Sequence, residues 1–214
     1  RFETATGNFR HLLLTMEKIT CWCATKIIPE GEGVKRTLVR ENITSKPLKV
    51  ILYGNINGVN VESYDRTIHV RLLASKIREE GKFTFCFVGR IVKDKGINEL
   101  VLAFVRLTKV YPEVRLLLVG PFERDLDPVS SEIEHIILDH SSISFVGFQQ
   151  DIRPYLAASD ALAFPSYREG FPNVVLQAGA MGLPSIVTDI NGCNEIIEDG
   201  VNGVIVPPRD AEAH

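Results

Sequence analysis

Phe83-Thr84-Phe85-Cys86-Phe87-Val88, then Gly89-Arg90-Ile91-Val92-Lys93-Asp94-Lys95-Gly96, then Ile97–Val110, then Val114-Arg115-Leu116-Leu117-Leu118-Val119: the fold is decided in this stretch. Its first and last runs are short, rich in aromatic and branched side chains, and stopped by glycine, which is how strands read. Between them Ile97, Leu100, Val101, Phe104, Val105 and Leu107 fall on one helical face, while Asn98, Glu99, Arg106 and Lys109 fall elsewhere. That pattern is a helix packed on a sheet. Leu116 to Val119 is apolar without alternation, as a parallel strand covered on both faces requires.

The same alternation continues toward the C-terminus. Strands are expected at 143–146, Ala161–Phe164, 185–187 and Gly203–Val206, with helices at 129–139, 151–158, 173–181 and 194–197. Repeated βαβ crossovers predict an α/β, Rossmann-like parallel sheet with helices on both faces. Upstream the texture differs, with helices at 10–19 and 32–42, strands at 26–28 and 49–53, and a charged helix at 64–80. The run Gly54-Asn55-Ile56-Asn57-Gly58-Val59-Asn60 is turn chemistry throughout. It marks a connection between domains 1–62 and 63–214. Pro207-Pro208-Arg209-Asp210 reads as the entry to a further helix.

Bulk composition removes several classes. The chain has 214 residues, 45% of them hydrophobic, and a net charge of −3. That is ordinary for a globular protein, and no Lys/Arg block forms a stripe for a phosphate backbone, so no nucleic-acid partner is expected. No apolar run approaches the roughly 20 residues that span a bilayer. The chain opens on Arg1 without a basic-then-apolar leader, and is expected to be a fragment of a cytoplasmic protein. Cys21, Cys23, Cys86 and Cys193 have neither C-x-x-C spacing nor a neighbouring His pair, so no metal is expected and Cys86 reads as a buried thiol. The G-x-G-x-x-G, P-loop, G-x-S-x-G and H-E-x-x-H signatures are absent.

Ligands of open parallel sheets bind beyond the carboxyl ends of strands, so the loops after each strand carry the chemistry. Gly89 lets the backbone pass close to a ligand, and Arg90 and Lys95 present a planar fork and a compact ammonium suited to a diphosphate. Solvated loop cations are the alternative. Lys93 reads as exposed. The loop Pro165-Ser166-Tyr167-Arg168-Glu169-Gly170-Phe171-Pro172-Asn173 opens a helix, with Pro172 in its first turn and an anion-attracting end facing the loop. Glu169 is either an acceptor for paired sugar hydroxyls or a helix cap. Phe148 and Gln149 offer a wall and polar groups to a nucleobase, or ordinary packing. Thr188 to Gly192 closes the site from the far side, or Asp189 caps a helix. His135 and His140 read as solvated.

These motifs in this order resemble the family 4, or group 1, retaining glycosyltransferases of GT-B fold. The resemblance covers about 83–208. It rests on Phe87-Val88-Gly89-Arg90 with Lys95-Gly96, Leu118-Val119-Gly120, Val146-Gly147-Phe148 and Ala158-Ser159-Asp160, and on Glu169-Gly170-Phe171-Pro172-Asn173, Gly182-Leu183-Pro184 and Gly200-Val201-Asn202-Gly203. The run 49–60 is similar to the strand and glycine turn that close the acceptor domain in members building bacterial capsular or exopolysaccharide. The resemblance implies that Arg90 and Lys95 contact a donor diphosphate and Glu169 the donor sugar. Gly170, Phe171 and Asn173 then line the pocket, and Phe148 and Gln149 lie near the base. The family carries a second glutamate eight residues after the first, on the ribose; this chain has Gln177 there, an acceptor without charge.

The expected activity is glycosyl transfer with retention from a nucleotide diphosphate sugar to a saccharide or lipid-linked acceptor, without cofactor or metal. Further expectations are peripheral association with the inner face of the cell membrane through a missing N-terminal domain, and no transfer by this piece alone. A noncatalytic nucleotide-sugar-binding module and a nucleotide-sugar epimerase of related fold stay open as rivals.

Overall fold

The computed structural model describes residues 5–55 and 57–210. Residues 1–4, Ile56 of the expected turn run, and 211–214 lie outside the described residues. The chain divides within that turn run into two compact units, Arg1–Asn57 and Gly58–His214.

The first unit pairs α1 (Gly7–Cys23) with α2 (Glu32–Arg40). Cys21, Leu38 and Ile43 are its buried centre. α1 is longer than 10–19, and its carboxyl end is held by Lys46, whose Nζ donates to the carbonyls of Cys21, Trp22 and Ala24 at 3.0, 2.5 and 2.6 Å. A cation there meets the negative end of the helix dipole. α2 stops short of 42 because Asn42 takes a left-handed φ of 49°. The strands expected at 26–28 and 49–53 do not form among the described residues; one parallel bridge joins Ile27 to Leu48. A strand needs a neighbour along its length. Here the chain turns at Leu52 and Tyr53, which are 90% and 92% exposed.

In the second unit the helix expected at 64–80 is α3 (Ile68–Ile77), set by Thr67, whose side chain accepts from Val70 N at 3.3 Å. There follow β1 (Phe83–Val88), a single 3-10 turn Lys93–Lys95, α4 (Ile97–Val110), β2 (Val114–Val119), α5 (Ser131–Asp139) and β3 (Ile143–Phe145). The second half runs α6 (Arg153–Ala157), β4 (Ala161–Phe164), α7 (Asn173–Ala180), β5 (Ser185–Thr188), α8 (Cys193–Ile196) and β6 (Gly203–Val206). The offsets from the sequence reading are end effects. Ser130 caps α5 by accepting from Ile133 N, and Pro154 lies in the first turn of α6. The entry to a further helix read at 207–210 shows a turn at Pro208 and Arg209, and what would follow it lies outside the described residues.

All six strands are parallel, in the order β3-β2-β1-β4-β5-β6. Leu116, Leu117 and Leu118 have no exposed surface, so β2 is covered on both faces as its composition demands. Cys86 is fully buried in β1. His140 departs from expectation: its Nδ1 accepts from Ser142 N at 3.2 Å and its ring meets Phe104 edge-on, so it ends α5 against the core and is not simply solvated.

Position on these elements predicts the cost of truncation. Leu117→Ala should lower stability by about 2–5 kcal/mol, as for other fully buried leucines. Leu138→Ala, at a position on α5 that is 58% exposed, should change it by no more than about 0.5 kcal/mol. Urea unfolding of the two variants checks the contrast, and similar midpoints would contradict this core.

Candidate functional site

Strands β1 to β3 progress to one side of β1, and β4 to β6 to the other. Successive connections therefore leave the carboxyl edge in opposite directions at β1 and β4 and open a crevice between them. The loops bordering it, 89–96 and 165–173, are the two that sequence reasoning ranked first.

Backbone hydrogen bonds lace this edge beyond the strands. Gly89 N donates to Val119 O at 2.9 Å, Gly120 N to Gly147 O at 2.8 Å, Ile91 N to Pro121 O at 2.8 Å, and Tyr167 N to Asp94 O at 2.9 Å. Gly96 has φ 70°, and a Cβ there would lie 2.1 Å from Pro165 O, so only glycine lets the two loops touch.

That contact sets Lys95 beside Glu169. Lys95 Nζ forms an ion pair with Glu169 Oε1, each side chain 17% exposed. The ammonium also lies 5.7 Å from the centroid of the Phe164 ring at the end of β4. Ser166 Oγ donates to the same Oε1 at 2.8 Å. Ser166 is itself buried, and its carbonyl accepts from the hydroxyl of buried Thr188, which ends β5. Glu169 therefore faces Lys95 and Ser166 rather than capping α7. Pro172 holds the N-cap position, one residue earlier than expected, and contributes neither an N–H nor a side-chain acceptor.

The other expected residues distribute around this pair. Arg90 is exposed and donates through Nη1 to Glu123 Oε2 at 2.7 Å; that hydrogen bond holds its guanidinium firmly protonated. Arg168 pairs with Asp94 at 3.2 Å, and Lys93 is exposed. Gly170 and Phe171 are half-buried in the loop, Asn173 opens α7, and Gln177 lies one turn on, along the same helix face. Phe148 is 74% exposed, and Gln149 Nε2 donates to Val146 O at 2.8 Å. They follow β3, two strands from β1, or about 10 Å at ~4.8 Å per strand.

The connection after β5 does reach the site. Gly192, φ 79°, lies so close to the loop that a Cβ would be 2.5 Å from Gly170 O. Gly192, not Asp189, is the N-cap of α8, with Glu195 accepting from its N–H at 3.3 Å, while Asp189 accepts from Asn194. Cys193 is buried just behind, its thiol pushed up to about 12 by burial and then by the Glu169 charge, against the opposing effect of Lys95.

Sequence reasoning gave no role to Ser166 or Glu123, and took Thr188 only as the start of a run closing the site from the far side. Ser166 had a visible signal, a hydroxyl three residues before the carboxylate. Glu123 had none, and the hold of Thr188 on the Ser166 carbonyl arises only through the sheet. Among the described residues no three His, Cys, Asp or Glu side chains converge as a metal site would need. An apolar recess of about 670 Å³, lined in part by Val175, Leu183, Ser185 and Ile197, is bounded by the amino end of β5 and carries no ionisable side chain.

Fold and crevice together define a Rossmann-like lobe of GT-B type, with a cation and a carboxylate paired at the switch point. The chain matches the family described as "Glycosyl transferases group 1" over residues 82–214, and it belongs to that family. It is 30% identical over 220 residues to the capsular polysaccharide biosynthesis glycosyltransferase CapM of Staphylococcus aureus, covering 100% of this chain and 56% of that protein. It is 26% identical to the UDP-Gal:alpha-D-GlcNAc-diphosphoundecaprenol alpha-1,3-galactosyltransferase of Escherichia coli, covering 92% of this chain and 51% of that one. The crystal structure of Anabaena HepE in complex with UDP superposes with a TM-score of 0.82 at 24% identity, over 96% of this chain and 56% of that chain. The chain thus spans about half the length of these relatives. Among the described residues no helix is long and apolar enough to cross a membrane.

The thiols give a pH-dependent check. Burial first raises both Cys86 and Cys193 to about 12, so each stays a protonated thiol until pH approaches that value. At pH 8.5 iodoacetamide should label exposed Cys23 in the native protein and reach Cys86 and Cys193 only after denaturation. Mass spectrometry of native digests showing rapid labelling of Cys193 would contradict the packing behind Glu169.

Proposed function

We propose that this chain is the donor-binding part of a retaining glycosyltransferase, which moves a sugar from a nucleoside diphosphate to a saccharide or lipid-linked acceptor in bacterial surface polysaccharide synthesis. The observation that carries the reading is the Lys95–Glu169 pair at the β1/β4 switch point. A diphosphate sugar needs a cation for its phosphates and an acceptor-only group for adjacent hydroxyls, side by side.

In this reading Lys95 and Arg90 take the diphosphate together with the leading turn of α7, and Glu169 takes sugar hydroxyls. Backbone groups of Gly89, Gly170, Phe171 and Asn173 line the path, Gln177 accepts from ribose, and Phe148 and Gln149 flank the base. The bond from the anomeric carbon to the diphosphate oxygen breaks, a bond to the acceptor oxygen forms, and the acceptor hydroxyl loses its proton. Negative charge grows on the leaving diphosphate, where fixed cations and a helix end lower the barrier most. The name of the Escherichia coli relative supports a uridine diphosphate donor and a lipid diphosphate acceptor, and HepE was crystallised with UDP. Residues 1–62 are proposed to end an acceptor-binding domain, and a lipid-linked acceptor would place the whole protein at the inner membrane face.

Glu169→Ala should weaken binding of the nucleotide sugar about tenfold or more, the worth of one hydrogen bond to a charged group. Binding of UDP should be unchanged or tighter, since Lys95 loses a competing carboxylate. Calorimetry with UDP, UDP-galactose and UDP-glucose measures both, and equal losses for nucleotide and nucleotide sugar would refute the assignment. Retention has its own readout. Anomeric proton NMR of product made by the full-length enzyme from an α-linked donor should show an α-linkage, and a β-linked product would overturn it.

A further inference from the structure

We propose that Ser166 is a positioning residue that aims Glu169 at the donor sugar, and that Thr188 of β5 braces it. This rests on the reading above, in which Glu169 binds sugar hydroxyls.

A serine hydroxyl has one proton to donate. Three acceptors lie within reach of Ser166 Oγ: Glu169 Oε1 at 2.8 Å, Arg168 O at 3.2 Å and Asp94 O at 3.5 Å. The first is the shortest and carries charge, which makes such a bond roughly twice as strong as a neutral one, so the proton goes to Glu169. Asp94 O meanwhile accepts from Tyr167 N at 2.9 Å and does not need the hydroxyl.

The serine cannot drift. It has no exposed surface, its loop follows β4 directly, and its carbonyl is gripped by the Thr188 hydroxyl from the neighbouring strand, where Phe164 pairs with Val187. Both contacts on the Glu169 carboxylate, from Lys95 and from Ser166, fall on Oε1. Among the described residues none falls on Oε2. Two donors on one oxygen restrict the rotation of a carboxylate that has three side-chain torsions, and leave the second oxygen available to sugar hydroxyls. When a diphosphate draws on Lys95, the Ser166 hydrogen bond is the tether that stays. Preorganisation of this kind shows as affinity for the group bound, here the sugar and not the nucleotide.

The test is the ratio of UDP affinity to nucleotide-sugar affinity, measured by calorimetry with UDP, UDP-galactose and UDP-glucose on this chain and on full-length enzyme. Ser166→Ala should lower the sugar-dependent gain about three- to tenfold and leave UDP binding within twofold. On a Glu169→Ala background the same substitution should change nothing further, because nothing is left to aim. Ser166→Cys, close in volume but a weak donor, should fall between wild type and Ser166→Ala, and carries the test if the alanine variant does not fold. A purely structural serine would lower both affinities together, or act equally with and without Glu169; either result overturns the proposal. If Glu169→Ala abolishes the sugar-dependent gain while the Ser166 variants keep it, the positioning role alone fails. If wild type itself gains nothing from either sugar, the donor-site reading fails and this role with it.

Discussion

The reversal of strand order between β1 and β4 is the constraint on which the rest of this molecule depends. Parallel strands all point their carboxyl ends the same way, and only where neighbouring connections leave in opposite directions is that edge uncovered. Lys95, Glu169, Ser166 and Thr188 gather there. Phe87 and Phe164 of these two strands are buried and stack at 6.2 Å between centroids, and Lys95 stands over the second ring. Gly96 against Pro165 then brings a lysine and a glutamate, far apart in sequence, into contact.

Three cations at this edge have a carboxylate beside them. Lys95 has Glu169, Arg90 has Glu123, and Arg168 has Asp94. For the first pair the balance is close, since a lysine and a glutamate largely removed from water lose hydration that their attraction only partly restores. The pair therefore adds little net stability, yet holds both groups where an anionic, hydroxyl-rich ligand would meet them. Arg90 is more exposed, and its pairing with Glu123 is correspondingly worth less. In the proposed reading a diphosphate would exchange one anion for another at these cations.

How much of the site was legible follows from the range of the interactions that build it. Arg90, Lys95 and Glu169 could be named as candidates because each lies in a loop that follows an apolar strand, where a charged residue has few structural duties. Whether Glu169 capped α7 or faced a cation was not readable, because the answer depends on the Lys95 loop approaching across the crevice. Ser166 and Thr188 look like ordinary small polar residues in sequence. They come into contact with each other only because β4 and β5 are neighbours.

Period and punctuation in the sequence by themselves determined the alternation of strands and helices in 83–206, since burial on two faces or on one stripe imposes those patterns residue by residue. They did not determine pairing. The run 49–53 has strand composition and forms no strand, because a strand exists by its neighbours and Leu48 alone finds one. His140 reads as a polar helix residue and is drawn against Phe104 by tertiary packing. The tertiary structure alone decided that Lys95, Glu169, Ser166 and Thr188 act on one another. Side-chain chemistry is local, but the contacts that orient it come from segments brought together by the sheet.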